Sequence, residues 1–335
     1  MKNFNHCLIH RHFKLKYIVN LSSLILQNLI KFFKKPILVL SLMQIIALGC
    51  RGNKGKIESS VIKSSTVKSS NQWLLAQQNK VSGCSPSTSA LGVALKIPLK
   101  NQAGDFRPFV LKFPEKGLSF YEAFAEAKKI LAYGGYRLAG LVNAGFFGKG
   151  GEPLSYFKAS FQRRKHTSGN AIPKRPCFVY DSSSRPSMQI VTLTDQLKAE
   201  YDQKDTVEVF CAGPRLLING NIILRTDARE GAFDPNSRAD GADPVAINGN
   251  VPRSGVCIDK QGDLIVLNYQ GKQRRCGPNL DFFTKTMLEF GCKDAINLDG
   301  GGSAAFFGAS PDGKTVNNVG VEDRVLPVWL AVGWR

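Results

Sequence analysis

Between Ala295 and Phe307 a short apolar run delivers one carboxylate, Asp299, to its end; three glycines, Gly300, Gly301 and Gly302, then a hydroxyl, Ser303, follow before a second apolar run begins. A lone carboxylate held at the end of a strand can act as a nucleophile or a general base. Glycine has no Cβ and accepts positive φ, so a run of three lets backbone N–H groups come close to a bound group. Successive N–H groups in such a turn form a concavity that suits an anion. The same residues also fit a β-hairpin loop, because Asp-Gly and Gly-Gly favour tight turns. A hairpin needs one or two glycines, and the third is better explained by something that must fit there.

Asn297-Leu298-Asp299-Gly300-Gly301-Gly302-Ser303 resembles the signature of the phosphodiester glycosidase family. Four other stretches agree with that family in order: Val142-Asn143-Ala144-Gly145-Phe146-Phe147, Gly213-Pro214-Arg215-Leu216-Leu217-Ile218-Asn219-Gly220, Pro252-Arg253-Ser254-Gly255-Val256 and Glu322-Asp323-Arg324-Val325. The resemblance runs from about Leu91 to the C-terminus, and the triple glycine is its most specific part. It implies hydrolysis of a sugar-1-phosphodiester by C–O cleavage at the anomeric carbon, on cell-envelope or extracellular glycans and without a cofactor. It also implies a site. Asp299, Arg253 and Arg324 are its catalytic residues, and Asn143, Gly145, Gly300, Gly301, Gly302 and Ser303 bind substrate.

The inventory suits that chemistry. Ordinary glycoside hydrolysis uses two carboxylates, one of which protonates the leaving oxygen. A phosphate ester is already a weak base, so the leaving group gains little from a proton. What is needed is one carboxylate near the anomeric carbon, with positive charge or N–H donors on the phosphate. Arginine grips phosphate bidentately. Asn143 could hold a sugar hydroxyl or an acetamido group, and Ser303 could donate to the phosphate. Simpler roles remain open: Asn143 bridging its own turn, Ser303 capping a turn, and Arg324 pairing with Glu322 or Asp323, worth only about 0–1 kcal/mol at a surface. Two other functions share the residues. One is a non-catalytic envelope protein that binds phosphorylated glycans. The other is a P–O phosphodiesterase, disfavoured because such enzymes usually want metal ligands and the body of the chain offers one histidine, His166.

The chain has 335 residues, 43% hydrophobic, with a formal net charge of +19. That is enough apolar content for a real core. The charge favours anionic partners, yet no nucleic-acid recognition motif accompanies it, and much of it lies before residue 70. No metal is expected: no Cys-x-x-Cys occurs among the eight cysteines. The calcium-like loop Asp234–Gly241 has Arg238 where an oxygen ligand belongs.

Residues 1–35 are basic, and Pro36–Leu48 is uncharged and apolar. The run is shorter than the roughly 20 residues that span a bilayer but suits a signal-peptide core. It ends at Ala47-Leu48-Gly49-Cys50, similar to a bacterial lipoprotein cleavage site, which would put lipid on Cys50 and the protein in the cell envelope, periplasmic or membrane-anchored. A plain secretory signal and an uncleaved anchor are the alternatives. Residues 51–90 read as a tether, Ser- and Lys-rich over Arg51–Asn71.

The body, 91–335, is expected to be one α+β domain of many short strands with two main helices. One helix opens at a Ser119–Glu122 capping box and stops at Gly134-Gly135. The other opens at Pro278-Asn279, ends at Gly291, and leads into the strand that carries Asp299. A hairpin is expected across Lys260-Gln261-Gly262. Cys276 and Cys292 flank the second helix, about 12 residues or roughly 18 Å long, too far apart for the limit of about 7 Å between bridged Cα atoms.

Overall fold

Alternation along the strands builds this protein, because successive side chains leave a strand on opposite faces. In the computed structural model, Val93, Leu95, Val256, Ile258, Leu264 and Val266 point into a central core, while Ala94, Cys257, Ile265 and Leu267, alternating with them along the strands, point the other way. The structure describes residues 73–79, 90–98, 106–113, 117–148, 150–162, 166–167, 175–183, 186–223, 249–271, 276–309, 315–319 and 324–335. All of these fall in one compact unit, Lys63–Arg335. The leader with Cys50, most of the tether, Arg163–Lys165 and the Asp234–Gly241 loop lie outside the described residues.

Strands β1–β17 and helices α1–α3 are numbered along the chain. The described strands form three sheets. The first runs β1 (Trp73–Asn79), β2 (Ala90–Ile97), β13 (Leu264–Gly271), β12 (Arg253–Asp259), β14 (Cys292–Asn297), β10 (Arg215–Ile218), β11 (Asn221–Ile222). The second runs β16 (Thr315–Val319), β15 (Ala305–Ala309), β4 (Arg137–Asn143), β17 (Val328–Trp334), β3 (Arg107–Lys112). The third runs β6 (His166–Thr167), β5 (Phe157–Ala159), β9 (Val207–Cys211), β7 (Pro176–Asp181), β8 (Ser187–Thr192). Pairing is antiparallel throughout the described strands.

The inner faces of all three sheets meet in one core, where Val256 and Ile296 of the first sheet join Val142, Phe306 and Leu330 of the second and Phe178 and Phe210 of the third. Each outer face is covered by one helix. α1 (Phe120–Tyr133) lies over the second sheet through Ala123, Ala127 and Leu131. α2 (Asp195–Gln203) lies over the third through Tyr201. α3 (Leu280–Glu289) lies over the first through Leu280, Phe283 and Met287.

The expected start signals are in place: Ser119 and Glu122 form the capping box, and the Asn279 side chain accepts from Phe282 N–H at 2.8 Å. Two expectations need correction. The described residues are α+β but mostly β, and they hold three helices rather than two; α2, with Thr194 as N-cap and few apolar residues, carries too weak a pattern to stand out in sequence. Trp73–Asn79, within the span read as tether, is a strand along the edge of β2.

Two disulfides are defined among the described residues. Cys177–Cys211 bridges the neighbouring strands β7 and β9, and Cys257–Cys292 joins β12 to the start of β14. Cys276 is also disulfide-bonded. The described residues contain no helix long and apolar enough to cross a membrane.

Candidate active site

Asp299 stands just past the end of β14, where the chain leaves the first sheet and crosses to β15 of the second. β14 is anchored on both sides, by β12 and β10, and α3 feeds it directly. The crossing is made by Gly300 and a short 3-10 turn, Gly301–Ser303. Main-chain bonds fix its approach: Leu298 N–H donates to Ser254 O (2.9 Å), Asp299 N–H to Ala144 O (3.1 Å) and Gly301 N–H to Pro252 O (2.8 Å). Residues from β14, the end of β4 and the start of β12 therefore meet at one point, although they are far apart in sequence.

Asn143, the last residue of β4, is 1% exposed. Its Nδ2 donates to the Asp299 carbonyl at 2.6 Å, and its Oδ1 accepts from Ala305 N–H at 3.1 Å. One amide thus holds both shoulders of the turn. Sequence places Asn143 in the site; the structure brings it against the main chain of Asp299, inside the protein.

The glycines divide into two kinds. A Cβ on Gly145 would fall 2.6 Å from Cys211 O, and one on Gly300 would fall 2.9 Å from Pro252 O. Both are places where strands approach too closely for a side chain. Gly301 has φ +59° and no atom of the described residues within 4 Å of its would-be Cβ, so its outer face is open to them. Its N–H, however, is spent on Pro252 O. Gly302 completes the turn.

Burial pushes the Asp299 carboxyl up to about 6, and the Ser303 hydroxyl, the Arg324 guanidinium and the Gly300 N–H oppose that rise. Desolvation therefore wins over three groups that favour the charged form. Ser303 is 1% exposed; its hydroxyl lies close enough to the Asp299 carboxylate to lower its pKa, and among the described residues its Oγ has no partner in hydrogen-bond geometry.

The two arginines expected here are not equivalent. Arg324 is exposed, with its guanidinium 5.3 Å from the centre of the Phe147 ring. Phe147 sits on a loop that folds back on itself, bridging to Pro153 while Leu154 N–H donates to Phe146 O at 2.9 Å. Arg253 is 1% exposed; its Nε donates to Pro278 O at 3.3 Å and one Nη to Gly249 O at 3.0 Å. The sequence reading passed over Phe147 as a functional residue. The signal available was its place two residues after Gly145, next to the turn that Asn143 enters. No group of three or more His, Cys, Asp or Glu side chains placed to hold a metal occurs among the described residues.

Residues 136–332 match the family model for phosphodiester glycosidases, which is more than half of the chain. The chain belongs to the phosphodiester glycosidase family. The matched span contains Asp299, both arginines, Asn143 and all the site glycines. Among solved structures, the chain is similar to the catalytic domain of zebrafish N-acetylglucosamine-1-phosphodiester alpha-N-acetylglucosaminidase, auto-inhibited there by its pro-peptide. Identity is 16%, the TM-score is 0.53, and the match covers 78% of this chain and 82% of that one. A Synechocystis protein of unassigned function gives 13% identity and a TM-score of 0.51, over 83% of this chain and 65% of that one. A Burkholderia pseudomallei protein whose name suggests export gives 13% and 0.50, over 76% of each. At these identities the likeness is one of fold. No curated protein sequence matches significantly.

Proposed function

We propose that this member of the phosphodiester glycosidase family hydrolyses a sugar-1-phosphodiester on an envelope or extracellular glycan, breaking the bond between the anomeric carbon and the phosphate oxygen. The observation that carries the reading is Asp299: a carboxyl held near pKa 6 beside an exposed arginine and an open glycine face. A general base works best when its pKa lies near the working pH. Ionised Asp299 acts at the anomeric carbon, as nucleophile or by taking the proton of the attacking water. The water oxygen ends on the sugar. The electron pair of the broken C–O bond stays on the phosphate, which leaves as a monoester.

Arg324 carries the phosphate in this reading, since its guanidinium is the exposed cation acting on Asp299. Ser303 Oγ adds a donor. A buried hydroxyl short of a partner costs about 1–3 kcal/mol, and a bound phosphate oxygen would satisfy it. Gly301 leaves room for the ligand to approach. Asn143 holds the turn through its two bonds to the main chain, and Arg253 is buried and bonded to the carbonyls of Pro278 and Gly249, away from the phosphate. Gly145 and Gly300 let the strands close around it.

A nitrophenyl phosphodiester of N-acetylglucosamine or glucose, hydrolysed in ¹⁸O-water, tests the reading. Free sugar carrying the label is the expected product. Label in the phosphate would mean P–O cleavage and a phosphodiesterase. Saturable binding without turnover would mean a glycan-binding protein.

The disulfides support export, since such bonds persist in oxidising compartments. With the basic–apolar–Gly49-Cys50 order, the proposal is a protein tethered to the envelope through lipid on Cys50. Cell fractionation should find it with membranes, and Cys50→Ala should release it. Full-length protein in the cytosol would overturn export.

A further inference from the structure

Ser254 and Asn268 are both 0% exposed and polar, and nothing in the reaction described so far uses them. They lie side by side on β12 and β13, as register partners in the first sheet. Asn268 Nδ2 donates to Ser254 Oγ at 2.9 Å, and Ser254 Oγ donates to Asn143 Oδ1 at 2.7 Å. Asn143 then grips the Asp299 carbonyl and the Ala305 N–H.

The polarity of this chain is fixed at its far end by main-chain atoms. Ala305 N–H can only donate, so the Asn143 atom facing it is the oxygen. The Asp299 carbonyl can only accept, so the atom facing it is the nitrogen. With Oδ1 accepting, the Ser254 hydroxyl must donate to it, and its lone pair is left for Asn268 Nδ2. A buried network with a single self-consistent arrangement holds its members rigidly. This one runs from the middle of the first sheet, across the gap to the second, and ends on the peptide that carries the reacting carboxylate.

We propose that Ser254 and Asn268 are positioning residues for Asp299, acting through Asn143. The proposal rests on the reading of Asp299 as the reacting carboxylate. Its geometry requires that Asn143 transmit the effect, because neither Ser254 Oγ nor Asn268 Nδ2 bonds the Asp299 side chain directly. Ser303, Arg324 and the Gly300 N–H are the groups that face the carboxylate itself.

Three variants test it. Ser254→Ala deletes the middle link. Asn268→Asp keeps the volume but reverses the hydroxyl, which now donates to the new carboxylate and abandons Asn143. Asn143→Asp keeps the acceptor for Ser254 and Ala305 but loses the donor to Asp299. Ser254→Ala and Asn268→Asp should each lower kcat on the order of tenfold with KM nearly unchanged, since a small displacement of a reacting group is expensive. In the Asn143→Asp background, Ser254→Ala should add less than about twofold, as expected of residues acting in one line. Carbon-13 NMR titration of the aspartate carboxyls gives a readout independent of turnover. Asp299 is already half-buried, and loosening the turn admits more water around it, so its pKa should fall from about 6 toward the ordinary carboxylate range in both variants.

A folded Ser254→Ala protein with unchanged kcat and an unchanged Asp299 titration overturns the proposal, as does a fully multiplicative effect in the double variant. If Ser254→Ala does not fold, Asn268→Asp decides by the same two readouts. If the wild-type protein cleaves no sugar phosphodiester, the proposed function falls, and the titration alone still decides whether the network positions Asp299.

Discussion

Two carboxyl groups among the described residues are raised by burial, and they are built in opposite ways. Glu208, on β9, is 0% exposed and raised to about 8. Its Oε1 accepts from Phe161 N–H at 2.8 Å and its Oε2 from Val110 N–H at 3.0 Å, so it staples β3 of the second sheet to the end of β5 in the third. Ser160 N–H and the Arg107 charge also favour its ionised form. Both of its oxygens are already in use by main-chain N–H groups. Asp299, raised to about 6, has a hydroxyl short of a partner, an exposed guanidinium and an open glycine face around it. A raised pKa therefore does not separate a site from a staple. What separates them is whether the neighbours are already satisfied.

The largest effect expected is Asp299→Asn. The charge and basicity disappear while the shape stays, so kcat should fall by at least about 10²-fold with KM nearly unchanged. Its effect on stability should have the other sign. The folded-state pKa lies above the ordinary 3.8, so the contribution of this group to stability is full below that value and is lost as pH rises through about 6. The amide does not titrate, so at pH 7 the variant should be more stable by up to about 3 kcal/mol, read by thermal melting. A less stable variant would mean that the carboxylate is a staple like Glu208.

Glu208→Gln is the mirror experiment and the next largest effect. Both oxygens accept N–H bonds, and an amide nitrogen cannot accept. A neutral acid still can, through its hydroxyl oxygen, so the amide is worse than the protonated acid as well as the ionised one. The loss should be about 1–3 kcal/mol, or a fall in Tm of about 2–4 °C for each kcal/mol in a domain of this size. Activity per folded molecule should be unchanged. The same acid-to-amide change thus raises stability at one site and lowers it at the other.

The two carboxylates differed in how far sequence could reveal them. Asp299 was legible because the features around it are local: a strand, three glycines, a hydroxyl. The start of α3 at Asn279 and the turn between β12 and β13 were legible for the same reason. Glu208 sits in a plain strand, and its partners Val110 and Phe161 are 98 and 47 residues away. Nothing local marks it. Asn143 meets Asp299 across 156 residues, so its presence in a motif was visible but not the atom it would hold. Arg253 shows the same limit. Its charge could be read, but not its burial against the carbonyls of Pro278 and Gly249, since strand direction fixes which way the side chain points.

Arg324→Lys tests the open side of Asp299. The charge stays, but the planar fork and the stacking on Phe147 go. Hydrolysis of a phosphodiester sugar should fall about tenfold in kcat/KM, a smaller loss than that from Asp299→Asn, while an aryl glycoside without phosphate should be affected much less. Equal losses on both substrates would remove phosphate from the role of Arg324 and leave only its field.

The smallest effect belongs to Phe147, which touches neither the carboxylate nor, in this reading, the phosphate. A guanidinium over an aromatic face at an exposed site is worth about 0.5–1 kcal/mol, so Phe147→Leu should cost about two- to fivefold in kcat/KM for the phosphodiester. Its sharper signature is in pH. Arg324 lowers the Asp299 pKa, and a guanidinium no longer held over the ring spends less time near the carboxylate. The pKa should then rise above about 6, and if Asp299 acts when ionised, as proposed, the acidic limb of kcat/KM should move to higher pH by a fraction of a unit. Arg324→Met should move it further in the same direction, and raised salt should shift the wild-type limb the same way by screening the pair. A limb that moves in Arg324→Met but not in Phe147→Leu would mean that the ring does not hold the arginine in place. A limb that moves in neither would mean that the titrating group is not the carboxylate beside Arg324, and the contrast with Glu208 would lose its open half.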